Sequence, residues 1–146
     1  MLMGIIKNIS KKQILQTALR LVGKSKKTLH LTMFMEEELY NSSQKYVRFL
    51  RKKISQGILV KRIGFGTQCQ YKSALKQLKL LKLPKNFHFH HSMSKDKQRF
   101  LISDQKEMLF AVYTGNRSKI VCFTKSHLIV KAFLNYFNSI TKTAEK

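Results

Sequence analysis

The sequence predicts an α/β sandwich with a mixed sheet and helices on both faces. Two observations carry this reading. Along the first half of the chain the apolar residues alternate between helical spacing and strand spacing, and along the second half strand spacing repeats four times before one last helix. Helices that bridge successive strands act as crossovers, so the first strands should pair parallel. The later strands, joined by short polar turns, should pair antiparallel.

Each element has its own signature. Ser10 stands where an N-cap is expected, ahead of a first helix in which Ile14, Leu15, Ala18, Leu19 and Val22 recur at three- and four-residue steps, and Gly23 stands where a terminating glycine is expected. After the turn Lys24-Ser25-Lys26-Lys27, a buried strand runs from Thr28 to Met35. A second helix starts at about Ser43, with Tyr46, Val47, Leu50 and Ile54 as its apolar stripe and Gly57 at its end. Ile58 to Ile63 is a short strand that Gly64-Phe65-Gly66 interrupts, with nothing of a phosphate loop about it. A third helix spans about Gln70 to Leu81, closed by Pro84. Strands follow at Phe87–His91, Gln98–Ser103, Glu107–Tyr113 and Lys119–Phe123. The last helix carries the stripe Leu128, Ile129, Ala132, Phe133, Tyr136, Phe137 and Ile140. The whole reads as one domain over residues 1–140 with a flexible tail at 141–146.

Composition narrows the function. Lys and Arg number 29 against 7 Asp and Glu, a net charge of +22 in 146 residues. Such an excess repels itself in the folded state, and polyanion binding, which releases condensed counterions, is what makes it useful. Nucleic acid is the expected partner, through backbone contacts rather than base readout, since no RNA-binding aromatic motif is present; an anionic membrane surface and a basic surface with no polyanion partner are the alternatives. Lys45, Arg48, Arg51, Lys52 and Lys53 on the second helix and Lys61 and Arg62 on the strand after it are the candidate contacts; Lys45, Arg48 and Lys52 fall on one helix face. Further basic clusters lie at Lys24, Lys26 and Lys27 and at Lys95, Lys97 and Arg99. No run of about 18 apolar residues suggests a membrane span, and the weak apolar run in Met1–Ile9 is no signal peptide. Two cysteines make no disulfide framework, which points to a reduced, cytoplasmic setting.

One segment resembles a known family. In Lys97-Gln98-Arg99-Phe100-Leu101-Ile102-Ser103-Asp104, two cations two residues apart precede an apolar strand and an Asp that opens a turn. This is similar to the signature strand of the phospholipase D-like superfamily, His-x-Lys-x-x-x-x-Asp, and the likeness extends over about Phe87 to Ile140 and more loosely back to Thr28–Ile63. The resemblance implies the same mixed-sheet sandwich. In the active family two motifs, from two repeats or two subunits, meet across a shared site: one His attacks phosphorus, the other protonates the leaving oxygen, and Lys grips the phosphate. Carried over, Asp104 keeps its position, Arg99 replaces Lys with a cation that can grip phosphate bidentately, and Lys97 stands where the nucleophile belongs. A lysine ammonium, protonated at neutral pH, does not replace an attacking imidazole. None of the five histidines has a Lys two residues on, and the family's Gly-Ser-x-Asn stretch is missing from Ala111–Thr114.

The resemblance therefore implies a catalytically inactive scaffold that binds nucleic acid or another phosphate-rich ligand through Lys97, Arg99, Asp104 and His90, with no catalytic residue, metal or cofactor. Related inactive domains serve in transcription regulators. Two alternatives stay open: a divergent phosphodiesterase or nuclease working as a homodimer through the His88–His91 cluster, or a dimerising sensor or interaction domain. The cluster Phe87-His88-Phe89-His90-His91 puts His88 and His90 on one strand face and His91 on the other. With only Cys69, Asp96 or Asp104 as further ligands and no supporting spacing, it reads as a histidine-rich strand edge rather than a zinc site. Glu36-Glu37-Glu38 reads as a solvated loop at the end of the first strand, and its functional alternative is a carboxylate near a ligand crevice.

Overall fold

A computed structural model describes residues 5–37, 43–77, 84–114 and 119–144. Among the described residues the strands and the longer helices follow one another as β1 (Ile6–Ile9), α1 (Ile14–Lys24), β2 (Thr28–Phe34), α2 (Gln44–Ser55), β3 (Leu59–Phe65), α3 (Gln68–Gln77), β4 (Phe87–Ser92), β5 (Arg99–Ser103), β6 (Glu107–Tyr113), β7 (Lys119–Thr124) and α4 (His127–Ala144). The strands form one sheet in the order β1-β7-β6-β5-β2-β3-β4. As expected, β2–β3 and β3–β4 are parallel; the other neighbours are antiparallel.

The alternation of side chains along each strand divides the interior in two. On one face Leu29, Leu31, Met33, Val60, Phe89, Leu101 and Leu109 pack under α1, α2 and α3. On the other Ile63, Phe65, Phe100, Ile102, Met108 and Phe110 pack under α4, which contributes Val130 and the fully buried Phe137. Helices on both faces of a mixed sheet is the architecture that the periodicity predicts.

Local chemistry sets the boundaries. The Ser43 hydroxyl caps α2 by accepting the Tyr46 N–H, and Gly57 follows the helix at φ 87°, a left-handed position that suits glycine. Several sequence expectations need correction. Gly23 does not end α1: the helix runs to Lys24 and Ser25 caps it, its N–H bonded to the Val22 carbonyl. Ser10 precedes a single 3₁₀ turn, Lys11–Gln13, and makes no side-chain cap. Gly64 does not break β3 but lies inside it, where a Cβ would sit 2.7 Å from Met35 Sδ and 2.8 Å from the Phe89 ring. The absent side chain is what lets those two core residues close over the strand. Strand β1 was not anticipated, and α4 continues through Thr141–Ala144, which the sequence reads as a flexible tail. Leu78–Leu81 of the expected third helix and Glu38 lie outside the described residues. Among the described residues no helix is long and apolar enough to cross a membrane.

Candidate phosphate and nucleic-acid interface

The site lies where β5 leaves β2. The ladder between them pairs Leu29 with Ser103, His30 with Ile102 and Leu31 with Leu101. Beyond it the Thr32 side chain takes over: its hydroxyl donates to the Gln98 carbonyl at 2.6 Å and accepts the Phe100 N–H at 3.0 Å. A side chain thus stands in for main-chain pairing, and the strand start swings away with its polar groups satisfied. On the α4 face, which Thr32 shares with His30, the Tyr136 hydroxyl of α4 accepts the Gln98 N–H at 3.1 Å and donates to the Asp96 carbonyl at 2.6 Å. Burial, helped by the Asp96 charge and opposed by the Gln98 N–H, pushes the Tyr136 phenol up to about 12, so it stays a donor across the working pH range. The Gln98 backbone between Lys97 and Arg99 is thus held at both its N–H and its carbonyl.

Lys97 is exposed. Arg99 is half-buried, with Nη1 3.6 Å from Glu37 Oε2, and it faces the helix pair α1–α2, because Phe100 beside it packs under α4 and Leu101 packs with α1 and α2. It lines a cleft of about 600 Å³ with Glu37, Ser43, Tyr46 and Lys119 around its mouth. Arg99 and Glu37 meet at the carboxyl end of the parallel strand β2, the edge at which open α/β sheets place ligands. The carboxylate comes from the Glu36–Glu38 run, where Glu37 is exposed and lines this cleft beside Arg99.

The structure does not bring Asp104 or His90 to this cleft. Asp104 sits five residues along β5, roughly 17 Å away at strand rise. There its carboxylate accepts the backbone N–H groups of Lys26, Lys27 and Thr28 at 2.8–3.1 Å. Burial would raise its pKa, but those N–H groups and the Lys106 charge outweigh it and hold the carboxyl below its ordinary range. Asp104 and Gln105, at φ 53° and 58°, form the tight primed turn of the β5–β6 hairpin. The nearby Glu107 carboxylate is buried against Lys24, with Lys125 Nζ 3.6 Å off. Both acids fasten the basic α1–β2 turn. His90 lies on β4, three strands and roughly 14 Å from β5, in register with Ile63 and therefore on the α4 face.

The two neighbours of His90 on β4, His88 and His91, have local partners. The His91 ring N–H donates to the Gly66 carbonyl at 2.7 Å and the ring stacks on Tyr71; the His88 ring contacts the Lys85 carbonyl at 3.0 Å. Among the described residues no three His, Cys, Asp or Glu converge on a point that could hold a metal.

The candidate nucleic-acid contacts divide. Lys45, Arg48 and Lys52 are exposed on α2, while Arg51 and Lys53 are half-buried and Lys53 Nζ donates to the Ser25 carbonyl at 3.0 Å. Lys61 is half-buried on the opposite face of the sheet, in register with His30 under α4. Arg62 is 4 % exposed, its guanidinium 5.4 Å above the Phe89 ring and its Nε without a partner. A buried guanidinium cannot touch a nucleic-acid backbone, so the strand context that makes Arg62 look like part of a basic patch instead carries it into the core. Replacing such a charge by an apolar side chain of similar length relieves its desolvation. Arg62→Met is therefore expected to leave stability unchanged or raise it by about 1 kcal/mol in urea denaturation, with nucleic-acid affinity unaltered.

The chain has a phospholipase D-like fold, as its likeness to solved structures shows. Among solved structures it is similar to TrmBL2, an archaeal chromatin protein with a described mode of DNA binding (TM-score 0.69, 15 % identity, 96 % of this chain and 53 % of that one). It is also similar to NucT from Helicobacter pylori (0.67, 14 %, 94 % of each chain) and to Nuc from Salmonella typhimurium, a phospholipase D family member (0.60, 9 %, 92 % of this chain and 91 % of that one). The chain spans about half the length of TrmBL2. No protein-family model and no curated protein sequence matches it.

Sequence reasoning missed Thr32, Tyr136 and the Arg99–Glu37 pair. A hydroxyl in each of two apolar runs was the available signal, because a buried hydroxyl must find a partner.

Proposed function

We propose that the chain is a phosphodiesterase scaffold turned to nucleic-acid binding, a cytoplasmic module of transcription or chromatin without hydrolytic activity. The observation that carries this reading is the combination of a +22 chain with Lys97 at the place of the attacking imidazole. In it, Lys97 and Arg99 grip phosphate at the sheet end and the exposed Lys45, Arg48 and Lys52 of α2 extend the contact. Ser43 and Tyr46 of the first turn of α2 line the same cleft as Arg99, which supports a continuous track. The DNA binding of TrmBL2 supports the ligand class. The chain carries one motif where the family's site uses two, so we propose a homodimer as the binding unit, and residues 1–140 as a single domain.

Fluorescence anisotropy with 25-nucleotide single- and double-stranded DNA and RNA, across a salt series, tests the reading. Binding should weaken linearly in log–log form, and Lys45→Gln/Arg48→Gln/Lys52→Gln should flatten the slope by about 3, one per lost phosphate contact. No binding at 50 mM salt, a slope unchanged in the variant, or cleavage of the oligonucleotides would overturn it. Light scattering on the same samples distinguishes dimer from monomer.

A further inference from the structure

Outside that cleft a second concavity of about 640 Å³ runs between α1 and α2. Its wall is Lys12 of the 3₁₀ turn and Leu15, Leu19 and Arg20 of α1, at steps of three, four and one, and α2 adds Lys45 and Phe49. Lys12 to Gly23, which closes the far end, covers roughly 16 Å of helix axis, three turns. The floor is apolar and open: Leu15 is 46 % exposed. The rim is cationic, and no acidic residue is among the described residues lining it. Arg20 is held in place by its guanidinium, 5.4 Å over the Phe123 ring.

Two features choose the occupant. Three cations with no carboxylate ask for an anionic partner. A floor of two leucines and one phenylalanine asks for aliphatic side chains at helical spacing, and it lacks the successive aromatic planes that would add base stacking to phosphate contacts. We propose that this groove docks an acidic amphipathic helix of a partner protein, its apolar anchors on Leu15, Leu19 and Phe49 and its carboxylates on Lys12, Arg20 and Lys45. Lys45 belongs to the proposed nucleic-acid track and Leu15 also lines the Arg99 cleft, while Lys12, Leu19, Arg20 and Phe49 line this groove and not that cleft, so Arg20→Gln separates the two surfaces.

The test uses the full chain and a fluorescein-labelled 16-residue peptide with leucines at i, i+3, i+4 and i+7 flanked by glutamates, beside a peptide of the same composition in scrambled order. The ordered peptide should bind at least tenfold more tightly, and Leu15→Asn and Arg20→Gln should each weaken it at least fivefold with unchanged circular dichroism. Equal binding of the two peptides, or indifference to both substitutions, would overturn the proposal. So would a labelled single-stranded oligonucleotide whose affinity falls as much as the peptide's in the same two variants, because the groove would then belong to the nucleic-acid surface.

Discussion

Asp104→Ala should cost about 3 kcal/mol of folding stability at neutral pH although the residue lies on a hairpin tip. Its carboxylate accepts three backbone N–H groups from the Lys26–Thr28 segment, and hydrogen bonds to charged acceptors are worth about 1.5–3 kcal/mol each without being additive. Alanine also has to adopt φ 53°, where asparagine is at ease. Asp104→Asn, which keeps an acceptor oxygen and the turn, should therefore cost about half as much. The sign with pH is fixed by the lowered pKa: the carboxylate's contribution is complete above the ordinary carboxyl value and is lost as pH falls through the depressed one. The gap between wild type and Asp104→Ala should accordingly close in strong acid. Urea denaturation at pH 7 and pH 2.5 measures it, and a loss under 1 kcal/mol at pH 7 would show that the turn holds itself without the carboxylate.

Phe137→Ala should be the most damaging single core truncation, about 3–5 kcal/mol, because the ring is fully buried between sheet and helix. It should also change a titration. The Phe137 ring meets the His30 imidazole edge-on at 5.1 Å, and burial, with the Lys61 charge second, lowers His30 to about 4. A histidine held neutral in this way makes the native state lose stability as pH falls from about 6.5 to about 4, since the unfolded chain takes the proton first. Opening a cavity beside the ring admits water, so the His30 pKa should climb towards 6.5 and the acid-sensitive window should narrow. Histidine proton NMR reads this directly; an unmoved His30 resonance would mean that Lys61 and the rest of the sheet, not Phe137, keep the imidazole neutral.

The fold was legible because burial and periodicity coincide in it. Phe100, Leu101 and Ile102 are apolar on consecutive positions because β5 is covered on both faces, and the helical stripe of α4 faces the sheet with Val130 and Phe137 at its centre. Strand β1 was illegible for the opposite reason: Ile6, Lys7 and Asn8 are exposed, and the strand is held by main-chain pairing to β7, which no side-chain pattern encodes. At the candidate site the sequence identifies Lys97 and Arg99 but not their scaffolding. It also places Asp104 among the ligand contacts, since a motif records which residues recur together and not which end of a strand they occupy. Arg62 and Lys61 show the same limit, because adjacent cations on a strand point to opposite faces, one into the helix layer and the other beneath α4.

The pairing of β1 with β7 has a consequence for biogenesis. The Thr124 hydroxyl donates to the Ile5 carbonyl at 2.6 Å across 119 residues of sequence, so β1 leaves the ribosome long before the strand it pairs with. At about 5–20 residues per second, synthesis leaves that segment waiting for several seconds or more while the intervening sheet assembles. The exposed margin of β7 is finished by a latecoming partnership, and closure of that margin, rather than formation of the central parallel strands, should set the pace at which a nascent copy becomes resistant to proteases.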